Sequence, residues 1–236
     1  MVKILDCTTR DGGHQTNWEF SDNFVKDLIE SLNLNGVEFF EIGYRNHFQK
    51  EGKGRFFYCD NNLLEEYQSI KNNLKIGIMT DTSRFSINDF PGAKNDLADF
   101  IRIACHPDKI QETLNISYEL HNRGYKVFVQ LMEIPNLDER HYKILENCEF
   151  KNIFESLYIA DSYGTAQPAD LKKFFIRLDK AGYEKISFHA HNNSGMALLN
   201  TLEAIKLGAY SIDVSKNGMG GNLDFKCFLE QVKSNF

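Results

Sequence analysis

The chain has 236 residues with a formal charge of −6, 42% hydrophobic and 13% aromatic residues, enough apolar material for a sizeable core and too much for disorder. Acidic and basic residues are interspersed, so no basic stripe for nucleic acid and no basic helix face for a membrane stands out. No apolar run approaches the ~18 residues of a membrane span.

The chain opens straight into an apolar strand at Val2–Asp6, without the charged and apolar regions of a signal peptide. Cys7, Cys59, Cys105, Cys148 and Cys227 are scattered, in no CxxC pair. They read as reduced thiols, and the expectation is a cytoplasmic protein. Ser21–Leu32 has a cap-type residue followed by apolar positions at 24, 25, 28, 29 and 32, the spacing of an amphipathic helix. Further strands follow at Val37–Gly43, Lys75–Met79, Phe100–Ala104, Lys126–Met132, Ser156–Ala160, Lys185–His189 and Ser211–Ser215. Helical patterns at roughly 108–122, 169–181 and 196–207 stop near Gly124, Gly182 and Gly208. Residues 45–62 form the longest loop and carry Arg45, Lys50, Lys53 and Arg55. Only 14 residues follow Asn222, so the last helix is short.

Eight strand–helix alternations without a break in composition favour parallel strands with helical crossovers. A doubly wound open sheet competes, but eight units favour a single-domain α/β (β/α)8 TIM barrel over residues 1–236 with a short final helix.

In Phe188-His189-Ala190-His191-Asn192 the two histidines alternate along a strand end and so point to one face. Barrel enzymes place their chemistry at that end. Two imidazoles there suit a divalent metal; a pair of satisfied polar residues is the plainer alternative. After the first strand, Asp6-Cys-Thr8-Thr-Arg10-Asp11-Gly12-Gly13-His14 sets carboxylates, an arginine and a histidine around two glycines. Asp11 can complete a two-His, one-carboxylate set, and Arg10 can neutralise an enolate oxygen. Gly12 and Gly13 would let the backbone turn sharply beside a ligand; an ordinary solvated turn is the alternative.

The pattern D-x-T-x-R-D-G, followed about 180 residues later by H-x-H-N, resembles the DRE-TIM metallolyase (HMGL-like) family. Asp161-Ser-Tyr-Gly164 with Pro168, Gly195-Met-Ala-x-x-Asn200-x-x-x-Ala204-x-x-x-Gly208-Ala209, and Asp213 with Gly218, Gly220 and Asn222 resemble its later segments in the right order. The resemblance implies Mn²⁺ or Mg²⁺ bound by Asp11, His189 and His191, with Arg10 stabilising the enolate of a pyruvate-type 2-oxo acid. His14 stands at the R-D-G-x-H spacing of the 4-hydroxy-2-oxo acid aldolases, where it implies a catalytic acid/base toward an aldehyde partner. A loop histidine without duty is the alternative. The extended run Gly12-Gly-His-Gln-Thr-Asn17-Trp18-Glu-Phe20 is similar to a subset of aldolase-domain proteins, and its tryptophan either walls the pocket or packs.

Glu41, Tyr44, Arg102, Gln130 and Asn222 are further candidates to line a substrate site, with Glu133 and Asn217 behind them. The loop 45–55 is a candidate for holding a phosphate or carboxylate, and His47, His106, His121 and His141 read as loop or helix-surface residues. The chain lacks the C-terminal region with which the bacterial aldolases contact a dehydrogenase, so channelling to such a partner is not expected; family barrels commonly dimerise. A Claisen-type acyl-CoA synthase or lyase is the second functional expectation, and a non-catalytic metal-binding barrel subunit the third.

Overall fold

The computed structural model describes residues 2–234. Eight parallel strands close on themselves in sequence order, β1 pairing with both β2 and β8. The strands are β1 (Lys3–Asp6), β2 (Phe39–Tyr44), β3 (Lys75–Asp81), β4 (Phe100–Cys105), β5 (Val127–Leu131), β6 (Phe154–Asp161), β7 (Ile186–Ala190) and β8 (Ser211–Val214). The helices are α1 (Thr8–Thr16), α2 (Asp22–Leu34), α3 (Asn61–Gln68), α4 (Ile110–Asn122), α5 (Glu139–Glu146), α6 (Pro168–Lys180), α7 (Ala197–Lys206) and α8 (Phe225–Ser234). The expected (β/α)8 barrel is therefore the one found.

Two local expectations fail. First, β3 and β4 are joined by two single-turn segments, Ile87–Asp89 and Ala93–Asn95, and by no α-helix. The intervening residues hold Pro91-Gly92 among Ser, Asn and Asp, which break helices and favour turns. Fully buried Phe90, stacked on Phe85 and edge-on to Tyr125, fills part of that side. Second, Gly12 and Gly13 lie inside α1 and not in a turn. Their role is close approach: a Cβ on Gly13 would stand 2.1 Å from the Trp18 ring.

Strand residues alternate between two environments. Outward Ile42, Ile76, Ile78, Ile101, Ile103, Val127, Val129, Phe188 and Val214 join the main core. Inward Leu5, Phe39, Phe100, Phe128 and Tyr158, with Cys7, form a separate plug inside the barrel. Above that plug the inward positions turn polar, with Glu41 on β2, Arg102 on β4, His189 on β7 and Asp213 on β8, all essentially solvent-free. An irregularity between Glu41 and Gly43 in the β2–β3 pairing sets Glu41 opposite Gly77 and Tyr44 opposite Met79. That extra residue puts both Glu41 and Tyr44 on the inner face.

Candidate functional site

β1 runs almost directly into α1, so the first turn of this helix sits at the barrel mouth, with Asp6 accepting from the Thr8 backbone N–H at 2.9 Å and from its hydroxyl at 2.8 Å. Arg10 and Asp11 follow in that turn. The segment Lys216–Gly221 after β8 packs against α1. Gly220 (φ +76) has no Cβ, and one there would press on the Asp11 backbone at 2.9 Å and on the Asn222 amide at 2.8 Å. In that space Asn222 Nδ2 donates to Asp11 Oδ2 at 2.8 Å. Asn217 lies within the same segment in the left-handed conformation.

Three donor atoms converge at this point. His189 Nε2 and His191 Nε2 are 3.1 Å apart, and Asp11 Oδ2 lies 3.5 Å from the first and 3.8 Å from the second. Ligands at right angles around a cation with bonds of about 2.1 Å stand about 3 Å apart, so the triangle is close to one face of a coordination sphere. His189 Nδ1–H donates to Asp213 Oδ2 at 2.7 Å, which leaves the Nε2 lone pair facing the triangle. Burial would raise the Asp11 carboxyl, but the Arg10 guanidinium and both imidazoles outweigh it and bring it down to about 2. Burial, reinforced by His189, lowers His191 to about 4. Both groups therefore stand ready as donors at neutral pH.

Beneath the triangle runs a ring of charge. Arg102 grips Glu41 with two hydrogen bonds, at 2.7 and 2.5 Å, and donates to Asp213 at 2.6 Å. Glu41 also accepts from Arg10 Nε at 2.5 Å, and Arg10 Nη1 donates to Asp11 at 2.5 Å. Burial would raise Asp213, yet Arg102 and His189 hold it below the usual carboxylate range. Two guanidiniums face three carboxylates, leaving one uncompensated negative charge in a dry interior. Such a layer favours a bound cation, and the donor set fits a divalent metal. Arg10 Nη2 is buried with no hydrogen-bond partner, as is Asn222 Oδ1.

A cavity of about 440 Å³ opens over these groups. Of the residues expected from sequence, Arg10, Asp11, His14, Tyr44, Gln130, His189 and His191 line it. Glu41, Arg102 and Asn222 do not; they are buried below and beside it, holding Arg10, Asp213 and Asp11. Trp18 is also buried: its indole N–H donates to the Arg10 carbonyl at 2.9 Å, and its ring packs 4.6 Å from that of His14. His14 sits in the last turn of α1 at the mouth. Burial lowers its pKa below the usual histidine value, with Arg10, Arg84 and Lys53 adding to the effect and Asp11 opposing it.

The loop 45–55 is not at the cavity. Arg45 is tied to Asp96, Lys53 to Asn17, and Arg55 to Asp22 and Glu66. Conversely, Asp81 and Arg84, which the sequence did not single out, line the cavity, as do His106, read as a loop or helix-surface residue, and Ser162, read only as part of the Asp161–Gly164 segment. Each stands at or just after the end of β3, β4 or β6, and that position was the signal available in the sequence. His141, expected on a helix surface, is mostly buried and accepts from the Asp138 backbone N–H at 3.0 Å in a capping box. Among the described residues no helix is long and apolar enough to cross a membrane.

Residues 138–232 match the HMGL-like family model. Among curated relatives, an oxaloacetate decarboxylase from Mycobacterium tuberculosis is 27% identical over 98% of this chain and 69% of its own length. A 4-hydroxy-2-oxovalerate aldolase from Carboxydothermus hydrogenoformans is 25% identical over 93% of this chain and 66% of its own. The chain thus spans about two thirds of the curated relatives it matches. Among solved structures, the N-terminal domain of a candidate aldolase from Bacteroides vulgatus superposes with a TM-score of 0.89 at 29% identity, covering 99% of this chain and 80% of that one. The HMG-CoA lyase of Bacillus subtilis shares the fold, with a TM-score of 0.76 at 17% identity over 99% of this chain and 86% of that one.

Proposed function

We propose that this chain is an HMGL-like, divalent-metal-dependent carbon–carbon lyase that makes or breaks the bond between the carbon alpha to the keto group of a pyruvate-type 2-oxo acid and the carbon beyond it, with an aldehyde as the second product or substrate. One observation carries the reading: the Asp11, His189 and His191 donor atoms and the unpartnered Arg10 Nη2 belong to residues lining one cavity. The named activities of the relatives, an aldolase and a 2-oxo acid decarboxylase, support it.

Asp11, His189 and His191 would hold a divalent cation, which would supply positive charge next to a bound 2-oxo acid. Two imidazoles in the set suit Mn²⁺ better than Mg²⁺, which prefers oxygen donors and its own waters. The chain's residues do the rest. Arg10 is pinned by Glu41 and Asp11 through Nε and Nη1, leaving Nη2 to donate to an oxygen that gains charge as an enolate forms. His14, kept mostly neutral at pH 7 by its lowered pKa, takes the 4-hydroxyl proton in the cleavage direction. The carbon–carbon bond then breaks, its electron pair passes to the enolate, and the hydroxyl carbon leaves as an aldehyde. Protonation of the enolate carbon completes the 2-oxo acid.

The test is deuterium exchange at the methyl group of pyruvate, followed by NMR with metal-stripped protein and then with added Mn²⁺ or Mg²⁺. Metal-dependent exchange that is lost in Arg10→Ala and His189→Ala is the expected result; no exchange with either metal refutes the proposal. Decarboxylation of oxaloacetate is a second reading, favoured by the relative named for it and by the shared enolate. It needs no proton acceptor for a hydroxyl, so His14→Asn cripples aldol cleavage but spares decarboxylation.

A further inference from the structure

A second cavity of about 570 Å³ adjoins the first, and Asp81, Ser83 and His106 line both. It lies beyond the ends of β3, β4 and β5, on the side where no α-helix follows β3. Its remaining walls come from Thr82, the Pro107–Lys109 turn, Glu133, Asn136 and His141. Ligand pockets of this size are usually lined mainly by apolar side chains. Here Pro107 is the single apolar residue in the wall.

An alkyl chain would meet one apolar residue, Pro107, and otherwise the carbon stems of polar ones, and would cut polar groups off from water. An anionic group is matched no better. Arg84 is already paired with Asp81, and Lys109 with Glu112 at 2.9 Å. Three carboxylates, Asp81, Asp108 and Glu133, belong to the wall. Asp81 is saturated, accepting from the Ser83 backbone and hydroxyl and from the Arg84 backbone and side chain. Glu133 accepts from the Asn136 amide at 3.0 Å and from the Tyr163 hydroxyl and faces His106 Nδ1 at 3.6 Å, short of the four or so hydrogen bonds a carboxylate can take. His141, whose Nδ1 accepts from backbone, keeps Nε2–H as a donor. At the inner cavity, Gln130 adds an oxygen, Oε1, that is buried with no partner. Donors and acceptors thus lie along the two adjoining cavities without a spare positive charge, which matches groups that both donate and accept.

We infer that this chamber binds a neutral polyhydroxylated extension of the aldehyde, a sugar-type chain, and selects against alkyl and phosphorylated aldehydes. The inference rests on the aldolase reading for where the aldehyde carbon sits, but the chamber's preference can be measured without turnover.

The experiment compares D-erythrose, butanal and D-erythrose 4-phosphate, each of four carbons, as acceptors for pyruvate with Mn²⁺-loaded protein. The expected result is a kcat/KM for erythrose about tenfold above the other two, the worth of one or two added hydrogen bonds. Glu133→Leu then lowers the erythrose-to-butanal ratio at least about fivefold, a ratio in which any general loss of activity cancels. Butanal or the phosphate equalling erythrose overturns the inference. Independently, saturation-transfer NMR with erythritol, which has no carbonyl to react, should show binding that weakens in Glu133→Leu and is insensitive to removal of metal. Absence of erythritol binding overturns the chamber assignment. Absence of pyruvate exchange with erythritol still bound overturns only the lyase reading.

Discussion

Replacing Asp213 by asparagine tests whether the buried charge ring sets metal affinity. His189 Nδ1–H, at 2.7 Å, and Arg102 Nη1, at 2.6 Å, both donate to the same atom, Asp213 Oδ2, while Oδ1 is buried without a partner. An asparagine can turn its amide oxygen to that position and keep both contacts, so the change removes charge and little geometry. Outer carboxylates behind a histidine ligand are typically worth about 10- to 100-fold in metal affinity. Asp213→Asn therefore belongs at the lower end, about tenfold or ~1.4 kcal/mol. Asp213→Ala removes both acceptors and leaves Arg102 half-paired in a dry interior. It should weaken metal binding by about 100-fold or more and lower folding stability by about 3–5 kcal/mol, the usual cost of stranding one member of a buried ion pair. The assay is calorimetric titration with Mn²⁺, beside urea unfolding of the metal-free protein. Wild-type affinity in Asp213→Asn and Asp213→Ala, with binding abolished in His189→Ala, would show that His189 is not oriented through Asp213 and refute the reasoning.

Gly13→Ala should destabilise the protein by about 2 kcal/mol, because overpacking against the Trp18 ring exceeds the gain from a better helix former. Urea unfolding measures it, and Trp18, the sole tryptophan, reports the local shift by fluorescence; a neutral or stabilising result rejects the tight contact. His14→Asn should slow aldol cleavage about 100-fold or more and erase a rate inflection that the unsubstituted protein shows below the ordinary histidine value of 6.5; persistence of the inflection assigns it to another group. In metal-free protein, His191 should withdraw stability as pH drops from 6.5 toward 4, because the unfolded chain protonates it before the folded one does, while Asp6, raised by burial to about 7, works in the opposite direction over that range. Stability should fall from 3.8 toward 2 as Asp11 is protonated. Thermal melts across pH check this: His191→Gln should remove its own part of the change between 6.5 and 4 and leave those of His14 and Asp6.

The sequence alone favoured the barrel, since apolar runs alternating with amphipathic stretches call for parallel strands with helical crossovers, but closure over a doubly wound open sheet was decided by the pairing of β1 with β8. It also marked Asp11, His189 and His191 as one donor set, because alternation along a strand places both histidines on one face whatever else the chain does. The helix expected after β3 does not form, although Pro91-Gly92 in that stretch carried the signal against it. What the sequence could not decide is which polar residues face a ligand and which hold those that do. Glu41 and Arg102 read like substrate contacts, yet they lie under the cavity, because burial at a barrel's centre depends on how far each strand is staggered against its neighbours. The extra residue in β2 that brings Tyr44 to the inner face, and the Gly220 gap that brings Asn222 to Asp11, are likewise set by pairing and packing. These contacts join residues up to 211 positions apart, and only the closed barrel brings them within a hydrogen bond.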